Sequence, residues 1–373
     1  MASINVTTNL TTEPSFQHNV SSYDDCNLLE FSFPVKIAAI LCLSFILLSS
    51  LVGNTLIIIV VYKRPEMRKT INYFIVNMAV SDFLLPFTSI PVRIAEILTT
   101  SPQWHIDGTA GLIFCKLNVF MDRVSSNVSV QSLCWIALDR FVAVVFPMKL
   151  RLISPRFRAL AIASTWIVAM TMRSLDLYSL ELVEIGDGRL CTSTLDTTDK
   201  CLSNGWYTRV YAALFVVVPF ILMTILYCII ALTLRRQNKA IPCTEVHQRS
   251  SRKKEAVRMS FCIITAFYFC NFPLFSTYLF MEYKVALPSC LSYKIYWIVG
   301  NLIYCLSSTI NPIICMTFVS SYRRGLREIL SSCWSERLPA NNPRSGVKSS
   351  EQISLQELRE ISKTRDNLAF SET

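Results

Sequence analysis

Residues 34–69 of the chain read PVKIAAILCLSFILLSSLVGNTLIIIVVYKRPEMRK. Their apolar part, residues 34–62, is longer than the roughly 20 residues that a helix needs to cross the hydrocarbon of a bilayer. A lone span in lipid must satisfy its own backbone hydrogen bonds, so this run is predicted to be a helix. Acidic charges precede the run, at Glu13, Asp24, Asp25 and Glu30, and basic ones follow it, at Lys63, Arg64, Arg68 and Lys69. The positive-inside rule then places the N-terminus outside the cell.

Six further apolar runs of similar length follow the first one. They lie near residues 71–98, 112–145, 157–178, 207–234, 258–282 and 293–317. Seven spans place the C-terminus in the cytoplasm, and basic residues after spans one, three, five and seven agree with that orientation. The net charge of +10 is therefore a topology signal, and no nucleic-acid partner is expected. We predict an all-α bundle of seven transmembrane helices in the plasma membrane.

The segments around the spans are predicted from their composition. Residues 1–33 form an extracellular tail with N-glycosylation sequons at Asn5, Asn9 and Asn19, and this tail shows no cleavable signal pattern. Residues 34–318 form the seven-span domain. Residues 319–334 are predicted to form an amphipathic helix on the inner leaflet, and residues 335–373 a disordered cytoplasmic tail.

Five cysteines lie on the outer, oxidising side of the membrane, where disulfides are expected. They are Cys26, Cys115, Cys191, Cys201 and Cys290. Cys115 begins span three and Cys191 lies in the loop between spans four and five, so we expect these two to pair. A second bridge would join two of the other three cysteines, and the sequence leaves that choice open.

Span three is the most polar of the seven, so it is predicted to lie at the centre of the bundle. Asp122 and Arg140 are 18 residues apart in this span. At 3.6 residues per turn they lie on one face, about 27 Å apart along the helix axis. Asp122 is then near the outer mouth and Arg140 near the cytoplasmic end, an arrangement that suits a protein that senses outside and acts inside.

Short motifs occur in every span in a fixed order. They are Gly53-Asn54, Asn77 through Asp82, Asp139-Arg140-Phe141 followed by Pro147, Trp166, Pro219 and Tyr227, Phe267 and Pro273, and Asn311-Pro312. Together they make the chain resemble the rhodopsin-like (class A) G-protein-coupled receptor family, and most of all its peptide and neuropeptide receptor branch. The resemblance implies an extracellular ligand and a heterotrimeric G protein as partners, together with arrestin and receptor kinases.

A buried carboxylate in span two is a candidate cation site. Asp82 lies near the membrane centre, where a charge without partners is costly. Oxygen atoms that could complete a small cation site come from Ser129, Ser307, Ser308 and Asn311. The resemblance implies sodium as an allosteric modulator. The alternative is a protonated Asp82 that is hydrogen-bonded to the same groups, and no other cofactor is expected.

The resemblance also implies a coupling surface at the cytoplasmic end of the bundle. Its residues are Asp139, Arg140, Pro147, Met148 and Tyr227. The alternative for Arg140 is an interfacial arginine that is paired with its neighbour. Beyond span seven, Cys333 is a candidate palmitoylation site that would add a contact with membrane lipid, although a plain free thiol is its alternative.

Three positions depart from the family pattern. Asn271 stands where a Trp is common, Cys315 where a Tyr is usual, and Phe141 ends the Asp-Arg-Tyr motif. The first two remove an aromatic side chain and a phenol that the active state uses in the family. Unusual basal activity is therefore expected, in either direction.

The favoured function is a receptor for a neuropeptide, with ligand contacts at Asp122, Ser126, Asn271 and Glu96. A biogenic amine receptor is the alternative, because amine receptors carry an Asp at the place of Asp122. An internal ion pair of Asp122 with Arg93 or Arg209 is a further alternative. An ion-coupled transporter is more remote. None of the three histidines lies in a span, so a multi-histidine metal enzyme is not expected and a Ser–His arrangement inside the bilayer is excluded.

Overall fold

The computed structural model of the chain describes residues 31–99, 103–148, 154–185, 188–193, 206–239, 244–282 and 290–335. In these ranges seven helices are long and apolar enough to cross a membrane, as the hydropathy pattern predicts. The membrane-crossing segments are Phe33–Lys63, Thr70–Thr99, Gly108–Val145, Pro155–Ser179, Arg209–Gln237, Lys254–Ser276 and Ile295–Phe318. We refer to them as spans one to seven.

Several helices extend beyond the membrane-crossing segments. The sixth runs over Thr244–Glu282 and the seventh over Cys290–Phe318. A further helix, Ser320–Ser335, follows span seven directly. The strands β1, Leu180–Ile185, and β2, Gly188–Ser193, connect to the end of span four.

Span one shows how the bundle separates lipid-facing from buried surface. Leu41, Phe45 and Leu48 recur at helical spacing and are all more than 60% exposed. Such a row of exposed apolar side chains suits contact with lipid rather than with water. On the opposite face, Leu43 and Asn54 are buried. The polar residue faces the other helices, which can satisfy its hydrogen bonds.

Span two consists of three helical pieces, Thr70–Asp82, Leu84–Phe87 and Ser89–Thr99. The two interruptions fall at Phe83 and Thr88. Pro86 and Pro91 lack the backbone N–H that would bond to the carbonyl four residues earlier, so the helix bends at these points.

Span five contains one π-helical turn, Ala213–Val217, between the helices Trp206–Ala212 and Val218–Lys239. The turn ends two residues before Pro219, whose ring cannot fit the regular hydrogen-bond ladder. A π turn is a common way to accommodate that break. In contrast, Pro273 and Pro312 lie inside continuous helices.

Spans one and seven pack closely at a glycine. A Cβ atom added at Gly53 would lie 2.8 Å from Cβ of Pro312, which no relaxed contact allows. Asn54 next to it donates to the carbonyl of Ser308 at 2.9 Å. Gly53 therefore permits the approach that brings Asn54 within hydrogen-bonding distance of span seven.

On the outer side, β1 and β2 form an antiparallel hairpin in the loop between spans four and five. The predicted disulfide is present and joins Cys115, at the start of span three, to Cys191 in β2. Arg189 of the same strand pairs with Asp107 at 2.7 Å. The hairpin is thus attached both covalently and by charge to the outer end of span three.

On the inner side, the Ser320–Ser335 helix begins with a buried tyrosine. The hydroxyl of Tyr322 donates to Asn72 Oδ1 of span two at 3.2 Å. Burial raises the pKa of this phenol well above its ordinary value, so it remains a neutral donor. Gly325 lies against Val60, where an added Cβ would be 2.9 Å from that side chain.

Candidate functional site

Asp122 lies in the outer half of span three, seven residues after the disulfide at Cys115, and its contacts come from two other spans. Tyr304 of span seven donates to Asp122 Oδ1 at 2.9 Å, and the hydroxyl of Ser89 donates to the same oxygen. Among the described side chains, Asp122 forms no ion pair with Arg93, Arg209 or any other residue. The carboxylate is therefore held by neutral hydrogen-bond donors, and no described cation lies within ion-pair distance of it.

Glu96, a predicted ligand contact, is paired within its own helix. Arg93 Nη1 lies 2.6 Å from Glu96 Oε2, and the same guanidinium lies over the ring of Trp297 at 5.5 Å from its centre. The carboxylate is thus already neutralised. A ligand would have to compete with Arg93 in order to use it.

The other two predicted ligand contacts are not joined to Asp122 by hydrogen bonds. The amide of Asn271 donates to the backbone carbonyl of Phe267 at 2.8 Å, one turn earlier in span six. Ser126 is half-buried, one turn below Asp122 in span three. These positions stay predictions.

The structure brings together three of the five residues of the candidate sodium site. Asn311 Nδ2 donates to Asp82 Oδ2 at 2.9 Å, and Ser129 donates to Asp82 Oδ1 at 3.5 Å. The Oδ1 atom of Asn311 is buried without a hydrogen-bond partner. An orphan amide oxygen beside a carboxylate and a hydroxyl is the oxygen donor set that a hard cation prefers, so these residues fit sodium.

The remaining two residues of the predicted sodium site, Ser307 and Ser308, form no hydrogen bond with Asp82 in the described structure. The hydroxyl of Ser308 donates to the carbonyl of Cys305 at 2.9 Å, while its own carbonyl accepts from Asn54. Ser307 is buried, and no hydrogen bond joins it to Asp82 in the described structure. Ser81, which the sequence did not single out, has its hydroxyl 3.1 Å from that of Ser129 and is therefore joined to the candidate site by a hydrogen bond.

At the cytoplasmic end, Arg140 is paired with the residue before it. Its Nε donates to Asp139 Oδ2 at 3.1 Å, and Nη2 donates to the same oxygen. Met148 is 91% exposed and Pro147 is exposed as well, whereas the Tyr227 side chain is buried. The described residues place no acid of span six against Arg140, since Glu255 accepts from the backbone N–H of Ser320.

A second charged group lies between spans three, four and five, and we call it the Arg173 cluster: Arg123, Asn127, Arg173, Asp176 and Tyr211. Arg123 pairs with Asp176 at 2.5 Å, and Arg173 lies 3.6 Å from the other oxygen of Asp176. Arg173 also stacks on the Tyr211 ring, 3.5 Å from its centre. The Tyr211 hydroxyl donates to Asn127 Oδ1 at 2.5 Å.

The sequence indicated this cluster only in part. Arg123 directly follows Asp122, and adjacent residues on a helix point about 100° apart, so the two side chains face different neighbours. Arg173 and Asp176 are three residues apart in span four, a spacing that places both on one helix face. The sequence did not indicate that these two side chains are buried, because charged residues near the end of a span usually face water.

Several predicted positions, or their side chains, lie outside the described part of the chain. The sequon residues Asn5, Asn9 and Asn19 are outside the described residues, as are Cys26 and Cys201, two of the candidates for a second disulfide. The third candidate, Cys290, begins the seventh helix, but nothing is described of its side chain. Cys333 belongs to the Ser320–Ser335 helix, but its side chain is outside the description as well. Glycosylation and palmitoylation at these positions stay predictions.

Seven apolar spans, a disulfide between span three and the outer hairpin, and motifs in every span define a receptor of one class. Residues 53–314 match the family described as "7 transmembrane receptor (rhodopsin family)". The match covers more than half of the chain, so the chain belongs to this family. It is a multi-pass plasma-membrane receptor that responds to an extracellular ligand and couples to G proteins, and it is not an enzyme.

Several curated proteins are similar to the chain. Neuromedin-U receptor 2 of Mus musculus is 24% identical over 347 residues, which cover 90% of this chain and 85% of that protein. Neuropeptide FF receptor 2 of Mus musculus is 25% identical over 339 residues, 85% of this chain and 79% of that protein. The QRFP-like peptide receptor of Branchiostoma floridae is 29% identical over 254 residues, 65% and 64% of the two chains.

Proposed function

We propose that the extracellular ligand of this receptor is a neuropeptide. The observation that carries the proposal is the similarity to receptors whose names state a peptide ligand, over 65% to 85% of this chain. The fold supports it, because the β1–β2 hairpin provides backbone and side-chain surface on the outer side. An amine receptor is the weaker reading, since those relatives are peptide receptors.

Asp122 is the proposed contact for a cationic group of the peptide. It is the described carboxylate of span three that has neutral hydrogen-bond donors but no ion pair. A buried carboxylate in this state gains most from an incoming cation, since the pair forms in a medium of low polarity. Tyr304 and Ser89 hold the carboxylate in place, so little ordering is required when the ligand arrives.

The signal is proposed to reach the cytoplasm through the spans that meet Asp82 and Arg140. Tyr304, which contacts Asp122, lies seven residues before Asn311, which contacts Asp82. Movement of span seven on ligand binding would therefore change the cation site directly. Arg140 is then released from Asp139 to receive the G protein, with Met148 as an exposed apolar contact. Arrestin, receptor kinases and inner-leaflet lipid are proposed as further partners at this end.

A screen of peptide and amine libraries tests the proposal. Cells that express the full-length receptor are exposed to both libraries, and intracellular calcium and cyclic AMP are recorded together. We expect a peptide to activate the receptor and no amine to do so. Activation by an amine alone would contradict the peptide assignment but leave the family membership unaffected.

A further inference from the structure

The Arg173 cluster contains two buried donors without partners. Arg173 Nε and Asn127 Nδ2 are both buried and make no hydrogen bond. Arg173 is 6% exposed and Asn127 is fully buried. A donor left unsatisfied in the protein interior is destabilising, and more so when its group is charged. The native fold thus contains a polar group whose hydrogen bonds are incomplete.

The two ion pairs of the cluster also differ in length. Two guanidinium groups, those of Arg123 and Arg173, share the one carboxylate of Asp176. Arg123 holds one carboxylate oxygen closely, whereas Arg173 is 3.6 Å from the other, which makes no hydrogen bond. Charges within membrane spans usually pair with one another and mark functional sites. Arg173 is therefore the group that a further anion would stabilise most.

The position of Arg173 is fixed by its aromatic neighbour. Its guanidinium lies 3.5 Å from the centre of the Tyr211 ring, a cation–π contact that holds the planar group without using its N–H donors. Tyr211 is in turn held by Asn127. The contacts thus orient both groups and leave Arg173 Nε and Asn127 Nδ2 available as donors.

We propose that the Arg173 cluster is a binding site for an anionic group of the peptide ligand, such as a carboxylate. Arginine binds carboxylates through charge-assisted hydrogen bonds, which are roughly twice as strong as neutral ones. The site is separate from Asp122, because Asp122 and Arg123 point to different sides of span three. The inference rests on the proposed peptide ligand, which would then carry a cation and an anion.

The headgroup of an anionic lipid carries the same chemistry and is the other source of such a group. The peptide is favoured because Arg173 and Asp176 are buried among the helices rather than exposed on the lipid-facing surface. The experiment below distinguishes a lipid headgroup from a peptide carboxylate.

The test uses the full-length receptor in nanodiscs of phosphatidylcholine, with N-acetylglycine as the probe for a peptide carboxylate. N-acetylglycinamide has nearly the same shape without the charge, and ionic strength is held constant. We expect the acid to raise the thermal unfolding midpoint in a saturable way and the amide to leave it unchanged. Arg173→Gln should abolish the shift.

Two further variants make the result specific. Arg173→Lys keeps the charge but loses Nε and the planar fork, and should weaken binding of the acid at least fivefold while preserving the fold. Arg158→Gln is the matched control, because Arg158 stacks on Tyr73 at 3.9 Å in the cytoplasmic half of the bundle. This variant should respond to the acid as the unaltered receptor does.

An absent shift in the unaltered receptor, or an equal shift in Arg173→Gln, would overturn the proposal. The proposal would also be overturned if phosphatidylglycerol in the nanodisc occupied the site and N-acetylglycine could not displace it. The readout requires neither an agonist nor a G protein. A failed peptide screen with an intact acid shift would therefore contradict the proposed function alone.

Discussion

Single side chains in this receptor differ in whether their charge is already neutralised. Glu96 and Asp139 each have an arginine beside them, at Arg93 and Arg140. Asp122 has hydroxyl donors instead. Hydroxyls orient a carboxylate without forming an ion pair with it, so a cationic ligand group can still form that pair.

Asp122→Asn is expected to lower agonist potency by more than tenfold, with the receptor still at the cell surface. Loss of one partner from a desolvated charge pair leaves the other buried and unpaired, which typically costs several kcal/mol. Concentration–response curves with the agonist from the screen measure the change. Neutralising the ligand cation should cost a similar amount in the unaltered receptor and nothing further in the variant.

The matched control for this prediction is Asp107→Asn. It removes one negative charge from the outer side at a position that is 79% exposed and paired with Arg189. Exposed ion pairs contribute little, so potency should change less than threefold, or about 0.6 kcal/mol. If the loss of potency from Asp122→Asn and the loss from neutralising the ligand cation simply add, Asp122 has a structural role instead.

Asp82→Asn is expected to remove the effect of sodium on agonist binding. If sodium stabilises the inactive arrangement around Asp82, linkage requires it to weaken any agonist that prefers the other arrangement. Competition binding in sodium chloride and in N-methylglucamine chloride of equal ionic strength measures this, with a roughly fivefold or larger change expected in the unaltered receptor. A sodium response that survives in the variant would refute the assignment.

At the scale of the helix, small residues determine which spans can approach. Gly53 and Gly300 each face a proline of a neighbouring span, but at different distances. A Cβ at Gly53 would lie 2.8 Å from Pro312, whereas one at Gly300 would lie 3.4 Å from Pro273, an ordinary contact. The same substitution therefore has opposite consequences at the two sites.

Gly53→Ala is expected to lower the thermal unfolding midpoint of the purified receptor, because overpacking of this kind typically costs about 1–3 kcal/mol. Gly300→Ala should leave the midpoint unchanged or raise it slightly, since Ala favours a helix by about 1 kcal/mol over Gly. Thermal unfolding in detergent micelles compares the two variants directly. Equal stability of both would mean that spans one and seven can separate without cost.

At the scale of the whole receptor, the two ends of span three are connected through different neighbours. Asp122 accepts hydrogen bonds from spans two and seven, whereas the hydrogen bonds of Arg140 among the described residues go to its own neighbour Asp139. No described acid of span six holds Arg140 in place. The inner end should therefore open at low cost, and basal nucleotide exchange is expected to be measurable.

Arg140→Ala is expected to abolish agonist-driven nucleotide exchange on the G protein and to leave ligand affinity within about threefold. The side chain lies far from Asp122 along the helix, about 27 Å at 1.5 Å per residue. Exchange of labelled nucleotide in membranes measures coupling, and radioligand binding on the same membranes measures affinity. Full exchange by the variant would show that coupling does not depend on this arginine.

The sequence alone determined the number of spans, their orientation and the receptor family. Hydropathy and loop charge act through lipid and water, which are the same for any chain, so these features can be predicted without packing information. The motifs likewise identified Asp82 with Asn311 as neighbours, since the resemblance places them in fixed spans. The pairing of Cys115 with Cys191 was expected from their places at the outer start of span three and in the loop between spans four and five.

Only the tertiary structure decided which side chains meet. The sequence left Asp122 open between a ligand contact and an ion pair with Arg93 or Arg209, and the structure gives it Tyr304, 182 residues away, and Ser89. The structure also shows the guanidinium of Arg173 stacked on the ring of Tyr211. Such contacts depend on the rotation of each helix about its axis and on the bends at its prolines. Both are set by the packing of all the spans together, so no local pattern of residues contains them.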